Sequence, residues 1–159
     1  MLKKVLLGLL AIIVLIQFIP VDRSNPIVTQ DVVAPEPVKQ VLKNSCYDCH
    51  SNETVWPWYS YIAPVSWLVT NDVEEARAHI NFSQWDSYNA KKQARIIEEI
   101  LEEVDIGEMP LPIYLLLHPG AKPQEEDILV LTQWYFSTDA GPDEHAEGEE
   151  HEQERTEDN

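Results

Sequence analysis

The chain has 159 residues, and its 11 lysines and arginines face 28 aspartates and glutamates, for a formal net charge of −17. This length suits one ordinary domain and leaves no room for a large two-domain enzyme. The acidic balance is the opposite of a nucleic-acid footprint, which excludes DNA and RNA as partners.

Residues 1–21 are predicted to form a membrane anchor or a signal peptide. Lys3 and Lys4 precede an apolar run over residues 5–19, which only Gln17 interrupts. Fifteen helical residues extend about 22 Å, short of the roughly 30 Å hydrocarbon core unless neighbouring residues join in. No Ala-x-Ala cleavage motif follows the run, which favours an uncleaved membrane helix.

The two lysines before the run also predict its orientation. Basic residues stay on the cytoplasmic side of a membrane, so we expect the N-terminus in the cytoplasm. The rest of the chain would then lie on the periplasmic side of the inner membrane, or be exported if the segment is cleaved. Residues 22–34 include Pro26 and lack periodicity, and they are predicted to be a linker.

Residues 35–138 are predicted to form an all-α domain. Apolar residues recur there at helical spacing in segments that begin at proline or end at glycine. The predicted helices are 35–46, 64–76, 90–104 and 123–135. Their expected buried side chains are Val38, Val41 and Leu42; Val65, Leu68, Val69, Val73 and Ala76; Ile97, Ile100, Leu101 and Val104; and Ile128, Leu131 and either Trp134 or Tyr135.

The first of these helices ends in a C-x-x-C-H motif, CYDCH at positions 46–50. Two thiols one helical turn apart can form thioethers with the two vinyl groups of a porphyrin. An imidazole directly after the second thiol can then lie under the iron. The motif therefore predicts one covalently bound haem c, held by Cys46 and Cys49 with His50 as the proximal iron ligand.

Two other uses of the cysteine pair each lack a component. A zinc site needs four ligands, and only His79 or His118 could complete one here. A thioredoxin-like redox pair usually follows a strand, and no strand is predicted before this motif. Haem attachment is the interpretation that uses all three motif residues.

Met109 is the predicted distal iron ligand, in the loop sequence GEMPLP. A thioether stabilises ferrous iron, and it raises the potential. Pro110 restricts the local backbone, while Gly107 allows the chain to leave the preceding helix. Methionine also fills cores, and His79 and His118 are the alternative ligands.

An aromatic cluster follows the motif and spans twelve residues; it comprises Trp56, Trp58, Tyr59, Tyr61 and Trp67. Such side chains exclude water from a porphyrin, although ordinary core packing would use them in the same way. Tryptophan or tyrosine donors, or Arg77, could also bond to haem propionates.

Residues 139–159 are predicted to be a disordered acidic tail. They contain ten acids, one base and no large apolar side chain, so ordering them would bury little apolar surface. The tail could aid solubility or dock a basic partner. His145 and His151 could bind metal ions only loosely, because a flexible tail preorganises no site.

The order of these features resembles class I cytochrome c, with a helix, C-x-x-C-H, further helices, a G-x-M-P loop and a terminal aromatic-bearing helix. More narrowly, separated blocks over residues 36–136 are similar to the bacterial "haem-binding domain" family of small membrane-anchored or exported c-type proteins. The blocks are CHSNET at 49–54, PWY at 57–59, IAPVSWL at 62–68, NFSQW at 81–85 and GEMPL at 107–111. The resemblance implies a small cytochrome c-like helical domain around a covalent haem, with Met109 as its distal ligand.

These predictions together favour an electron carrier over an enzyme. Hexacoordinate iron changes oxidation state with little rearrangement, whereas a peroxidase needs an open distal face with a catalytic acid or base. Only Arg77 and His79 suggest such a pair; a haem-based sensor is the other alternative. Residues 22–138 carry 18 acids and 8 bases, a charge of −10, which favours redox partners with a basic docking face.

Overall fold

The computed structural model describes residues 1–138, and the predicted acidic tail with His145 and His151 lies outside them. The described chain forms seven α-helices, which are α1 (Leu2–Ile16), α2 (Glu36–Ser45), α3 (Tyr47–His50), α4 (Val65–His79), α5 (Ala90–Asp105), α6 (Pro112–Leu115) and α7 (Glu125–Ser137). Short 3-10 helices occur at Trp58–Tyr61, Trp85–Ser87 and Pro119–Ala121. Over residues 1–138 there is no β-strand, which confirms the predicted all-α class.

Local capping explains where the longer helices begin and end. Asn89 precedes α5, and its side-chain oxygen accepts a hydrogen bond from Lys92 N at 2.9 Å. Gly107 follows the same helix with φ +77°, a left-handed conformation that favours glycine. Gln124 and Asp127 form a capping box at the start of α7.

The core lies where α7 packs against both α2 and α5. The buried residues of these helices include Val38, Val41 and Leu42 on α2, Ile97 and Ile100 on α5, and Leu131 and Trp134 on α7. These predicted buried positions are confirmed, since all three helices bury their apolar stripes in one shared core. Leu101, Val104 and Ile128 are only partly buried.

The face that α4 buries differs from the prediction. Val73 is buried as predicted, but Val69 and Ala76 are only partly buried, and Val65 and Leu68 are exposed. The other buried side chains of α4 are Ser66 and Thr70. Thr70 Oγ1 donates to Ser66 O at 2.8 Å, so this buried hydroxyl is satisfied within the helix. Small hydroxyl side chains suit this face because α4 packs directly on α3 and on the 3-10 helix Trp58–Tyr61.

Residues 22–34, predicted to be a linker, pack along the domain. The backbone N–H groups of Thr29 and Gln30 donate to Ser83 O at 3.0 and 3.3 Å. Val32 is fully buried in the core. This segment contributes to the fold through irregular backbone, which leaves no periodic signal in the sequence.

The N-terminal helix α1 has no buried residue. Its far end is joined to the domain through Gln17, whose side chain donates to Ala63 O at 3.0 Å and accepts from Ala63 N at 2.9 Å. Across residues 1–138, no helix has both the length and the apolar character needed to cross a membrane. The predicted membrane-spanning helix is therefore not found among these residues.

Candidate haem-binding site

The C-x-x-C-H motif occupies the junction between α2 and α3. Cys46 ends α2, with its N–H donating to Leu42 O at 2.8 Å, and it also precedes α3 as its N-cap. The N–H groups of Cys49 and His50 both donate to Cys46 O, at 3.1 and 2.9 Å. This single turn places the two cysteines three residues apart, with Cys46 capping the short helix that carries Cys49.

The two thiols are unpaired, and both cysteines are partly buried. Burial, and to a smaller extent negative charge on Cys49, raises the pKa of Cys46 to about 12. Burial also raises the pKa of Cys49 to about 11, with Asp48 and Asp72 adding to the effect. Both groups are therefore protonated thiols near neutral pH, unlike the acidic cysteine of a thioredoxin-like redox pair.

The His50 ring is oriented by the C-terminal end of α4. Its Nδ1 lies 3.2 Å from Ala76 O and 3.3 Å from Ile80 O. Carbonyl oxygens only accept, so Nδ1 carries the proton and Nε2 keeps its lone pair. Burial lowers the pKa of His50, which favours this neutral form. A neutral imidazole whose other nitrogen is anchored by carbonyls is the usual geometry of an iron ligand.

Arg77 holds the loop that follows the motif. Its guanidinium donates to Ser51 O at 2.7 Å and to Thr54 Oγ1 at 2.8 Å. It also donates to Ser24 O at 3.0 Å and to Asn25 Oδ1 at 2.9 Å. Four hydrogen bonds thus join α4, the loop and the N-terminal segment. Arg77 was predicted to bond to a haem propionate or to act as a distal residue of a peroxidase. In the structure, its guanidinium instead donates these hydrogen bonds to other parts of the protein.

A buried polar network supports the same loop, and sequence reasoning assigned it no role. Asn81 Nδ2 donates to Asn52 Oδ1 at 2.9 Å, and Asn52 N donates to Ser83 Oγ at 2.9 Å. Ser83 N in turn donates to Asn81 Oδ1 at 3.0 Å. Two of the family-like sequence blocks, 49–54 and 81–85, supply these residues. The blocks were the only sequence signal for them, because polar loop residues show no periodicity.

A second set of contacts connects the Met109 region to the motif through Asp48. Tyr114 Oη, on α6, donates to Asp48 Oδ2 at 2.8 Å. The Tyr114 ring stacks on His118 with centroids 4.4 Å apart and planes 7° apart. His118 Nε2 and Tyr59 Oη are hydrogen-bonded at 2.9 Å. The chain just after Met109 is therefore held against the middle of the C-x-x-C-H sequence.

Met109 lies in the loop that leads into α6. Its N–H donates to Glu103 O at 3.1 Å, which fastens the loop to the end of α5. The Met109 residue is 36% exposed, so it is not a core filler. Among the alternative ligands, His118 is engaged with Tyr59, and the largely exposed His79 faces the Glu99 carboxylate at 3.7 Å.

Two indole N–H groups near the motif are candidate donors to haem propionates. Among the residues the structure describes, the buried Trp56 Nε1 and Trp67 Nε1 have no hydrogen-bond partner. A buried donor without a partner costs about 1–3 kcal/mol, so an ordered water or a bound group normally accepts its hydrogen bond. Trp67 lies on α4, which packs on α3. The two propionates of a haem would supply carboxylate acceptors for both indoles.

Replacing Trp56 or Trp67 by phenylalanine is expected to lower the haem midpoint potential by tens of millivolts. Without the indole donor, the propionate charge is less compensated and stabilises ferric iron more strongly. Redox titration of the purified holoprotein measures the shift. Trp58→Phe is the matched control because the Trp58 residue is 71% exposed. Equal potentials in all three variants would exclude the propionate assignment.

The described domain is thus all-helical, and its C-x-x-C-H turn combines two unpaired thiols with an anchored neutral imidazole. A family model described as "Haem-binding domain" matches residues 11–137, and the chain belongs to this family. Haem is accordingly the cofactor that the family indicates. No curated protein and no solved structure matches the chain.

Proposed function

We propose that this protein is a single-haem c-type cytochrome that transfers electrons outside the cytoplasm. The observation that supports this proposal most directly is the turn at residues 46–50. In this turn Cys46 and Cys49 are unpaired, and His50 Nδ1 is anchored by two carbonyls. A haem bound there would supply one-electron chemistry between ferric and ferrous iron. In this proposal the cysteines form the two thioethers, and His50 Nε2 binds the iron.

Met109 is the proposed distal ligand. Two features support it: the residue is partly exposed, and its loop is fastened both to Glu103 and, through Tyr114, to Asp48. A loop held at both ends can keep a thioether in one place during a change of oxidation state. Small rearrangement at the iron favours rapid electron transfer.

A peroxidase-like enzyme or a haem sensor with an exchangeable sixth ligand is the alternative. The contacts of the candidate distal residues favour the electron carrier. Arg77 bonds to the loop after the motif, while His79 faces Glu99 near the exposed surface. A distal acid–base pair would require these side chains to face the same side of the iron, free of such partners.

The proposed location is the periplasmic side of the inner membrane. Helix α1 by itself is too short to span a bilayer. Together with the apolar residues Phe18 and Ile19 that follow it, and with Lys3 and Lys4 at its start, it is proposed to insert into the bilayer and hold the protein there. The charge of −10 over residues 22–138 would favour redox partners with a basic docking face.

Visible spectra of the oxidised and reduced protein, recorded before and after denaturation, test the haem, its covalent attachment and its axial ligands. Met109→Ala is expected to remove the sulfur-to-iron charge-transfer band, to lower the midpoint potential and to let cyanide or carbon monoxide bind. Leu117→Ala is a control, since Leu117 is an exposed residue of the same region. An unchanged Met109→Ala spectrum would contradict the ligand assignment and direct the same test to His118 and His79.

A further inference from the structure

A small apolar surface lies beside the end of α1. Its members are Trp58, Tyr61 and Ile62, which are 71%, 59% and 47% exposed, and we refer to them as the aromatic ridge. Trp58 and Tyr61 are the first and last residues of one 3-10 helix, and side chains three apart in such a helix eclipse each other. The two rings therefore project from the same face.

Hydrogen bonds hold this ridge next to the N-terminal helix. The Gln17 amide makes both a donor and an acceptor contact with the backbone of Ala63, directly after Ile62. Arg23 donates to Ser60 O at 3.2 Å, and its guanidinium lies 4.4 Å from the centre of the Tyr61 ring. The end of α1 is thus fastened by hydrogen bonds to the segment that carries the ridge.

The charge distribution around the ridge is unusual for so acidic a chain. Residues 55–71 contain no acidic or basic side chain, although the whole chain has a net charge of −17. This stretch would meet little repulsion from anionic lipid headgroups. The apolar surface of α1 continues toward it through Phe18 and Ile19, which are 78% and 52% exposed.

The residue types of the ridge match those that lie at the membrane–water interface. Tryptophan and tyrosine concentrate at the headgroup level, where an apolar ring and a polar edge are both accommodated. Arginine extends its apolar stem along such a surface while its charged end stays in contact with water and phosphate. Here Arg23 lies on the Tyr61 ring at the point where α1 meets the domain.

We infer that the aromatic ridge rests in the headgroup layer of the lipid bilayer that α1 enters, so that the haem domain is held in one orientation on the membrane. The inference rests on the proposed membrane location of the protein. The proposed binding partner of the ridge is therefore the lipid bilayer. A fixed orientation would present the same side of the domain to every redox partner.

The test uses the full-length holoprotein in phosphatidylcholine vesicles that include a phosphatidylcholine with a diazirine near its glycerol backbone. After irradiation, mass spectrometry of peptides locates the lipid adducts. Adducts on residues 58–62 as well as on α1 are the expected result. Leu129 and Phe136 on α7 are the internal controls, because they are comparably exposed, at 60% and 64%, and should remain unlabelled.

Each other outcome overturns the inference in a recognisable way. Adducts on α1 alone would mean that the ridge faces water, while equal labelling of α7 would mean that capture was unspecific. An absence of adducts anywhere would remove the membrane location together with the ridge. Covalent haem content, measured on the same sample, is independent of all three outcomes, so a failure of the proposed cytochrome function is recorded separately.

Two variants test directly whether the rings of the ridge contact lipid. Trp58→Gln and Tyr61→Gln change exposed side chains, and each is expected to reduce adducts on the ridge several-fold while the yield on α1 stays the same. Unchanged ridge labelling in both variants would show that these rings do not contact lipid.

Discussion

Replacing both Cys46 and Cys49 with alanine is expected to abolish covalent haem attachment. The two thiols are the chain's only cysteines, and they lie on one turn between α2 and α3, where no other sulfur can replace them. Haem staining in denaturing gels measures the loss. Each single variant should keep at most one thioether and stain less than the original protein.

The control for this experiment is Lys43→Ala, which changes an exposed side chain in the last turn of α2. Its staining should equal that of the original protein. Unchanged staining in the double cysteine variant would remove the c-type assignment, although haem could still bind without a covalent bond. That result would leave the haem-binding family assignment intact and would contradict covalent attachment through thioethers.

Arg77→Ala is expected to reduce the free energy of unfolding by about 3 kcal/mol. Hydrogen bonds to a charged group contribute about 1.5–3 kcal/mol each, and the four made by Arg77 share one side chain and do not add fully. Two of their acceptors belong to Ser51 and Thr54, which are buried and would lose a partner. Chemical denaturation of the holoprotein, followed by circular dichroism, measures the change.

Arg77→Lys should fall between the original protein and the alanine variant. Lysine keeps the charge but lacks the planar fork that reaches several acceptors at once. Arg95→Ala is the matched control, because the Arg95 side chain is 78% exposed and pairs with Glu99 four residues away at 2.9 Å. Such an exposed pair contributes about 0.3–0.5 kcal/mol. Equal losses at positions 77 and 95 would show that Arg77 does not hold the loop.

Helices α2, α5 and α7 were predictable because their determinants are local. Periodic apolar residues such as Val38, Val41 and Leu42 define a buried stripe within two turns of chain. Prolines, Asn89 and Gly107 then define the helix ends through contacts within a few residues. The C-x-x-C-H motif is equally local, since its chemistry depends on five consecutive residues.

Helix α4 shows the limit of that reasoning. Its apolar residues Val65 and Leu68 predicted one buried face, and the structure buries Ser66 and Thr70 instead. Hydrophobic periodicity assumes that a helix packs on a larger apolar core. Here the neighbours are α3 and a 3-10 helix, against which small hydroxyl residues fit and bond internally.

The sequence by itself determined the helical class, the haem motif and membership of a haem-binding family, because each depends on residues close together in the chain. Only the tertiary structure decided how the site is supported. Arg77 reaches Ser24 across 53 positions, and Tyr114 reaches Asp48 across 66. Such contacts form only when distant segments pack, and no local pattern of residues encodes which donor will meet which acceptor.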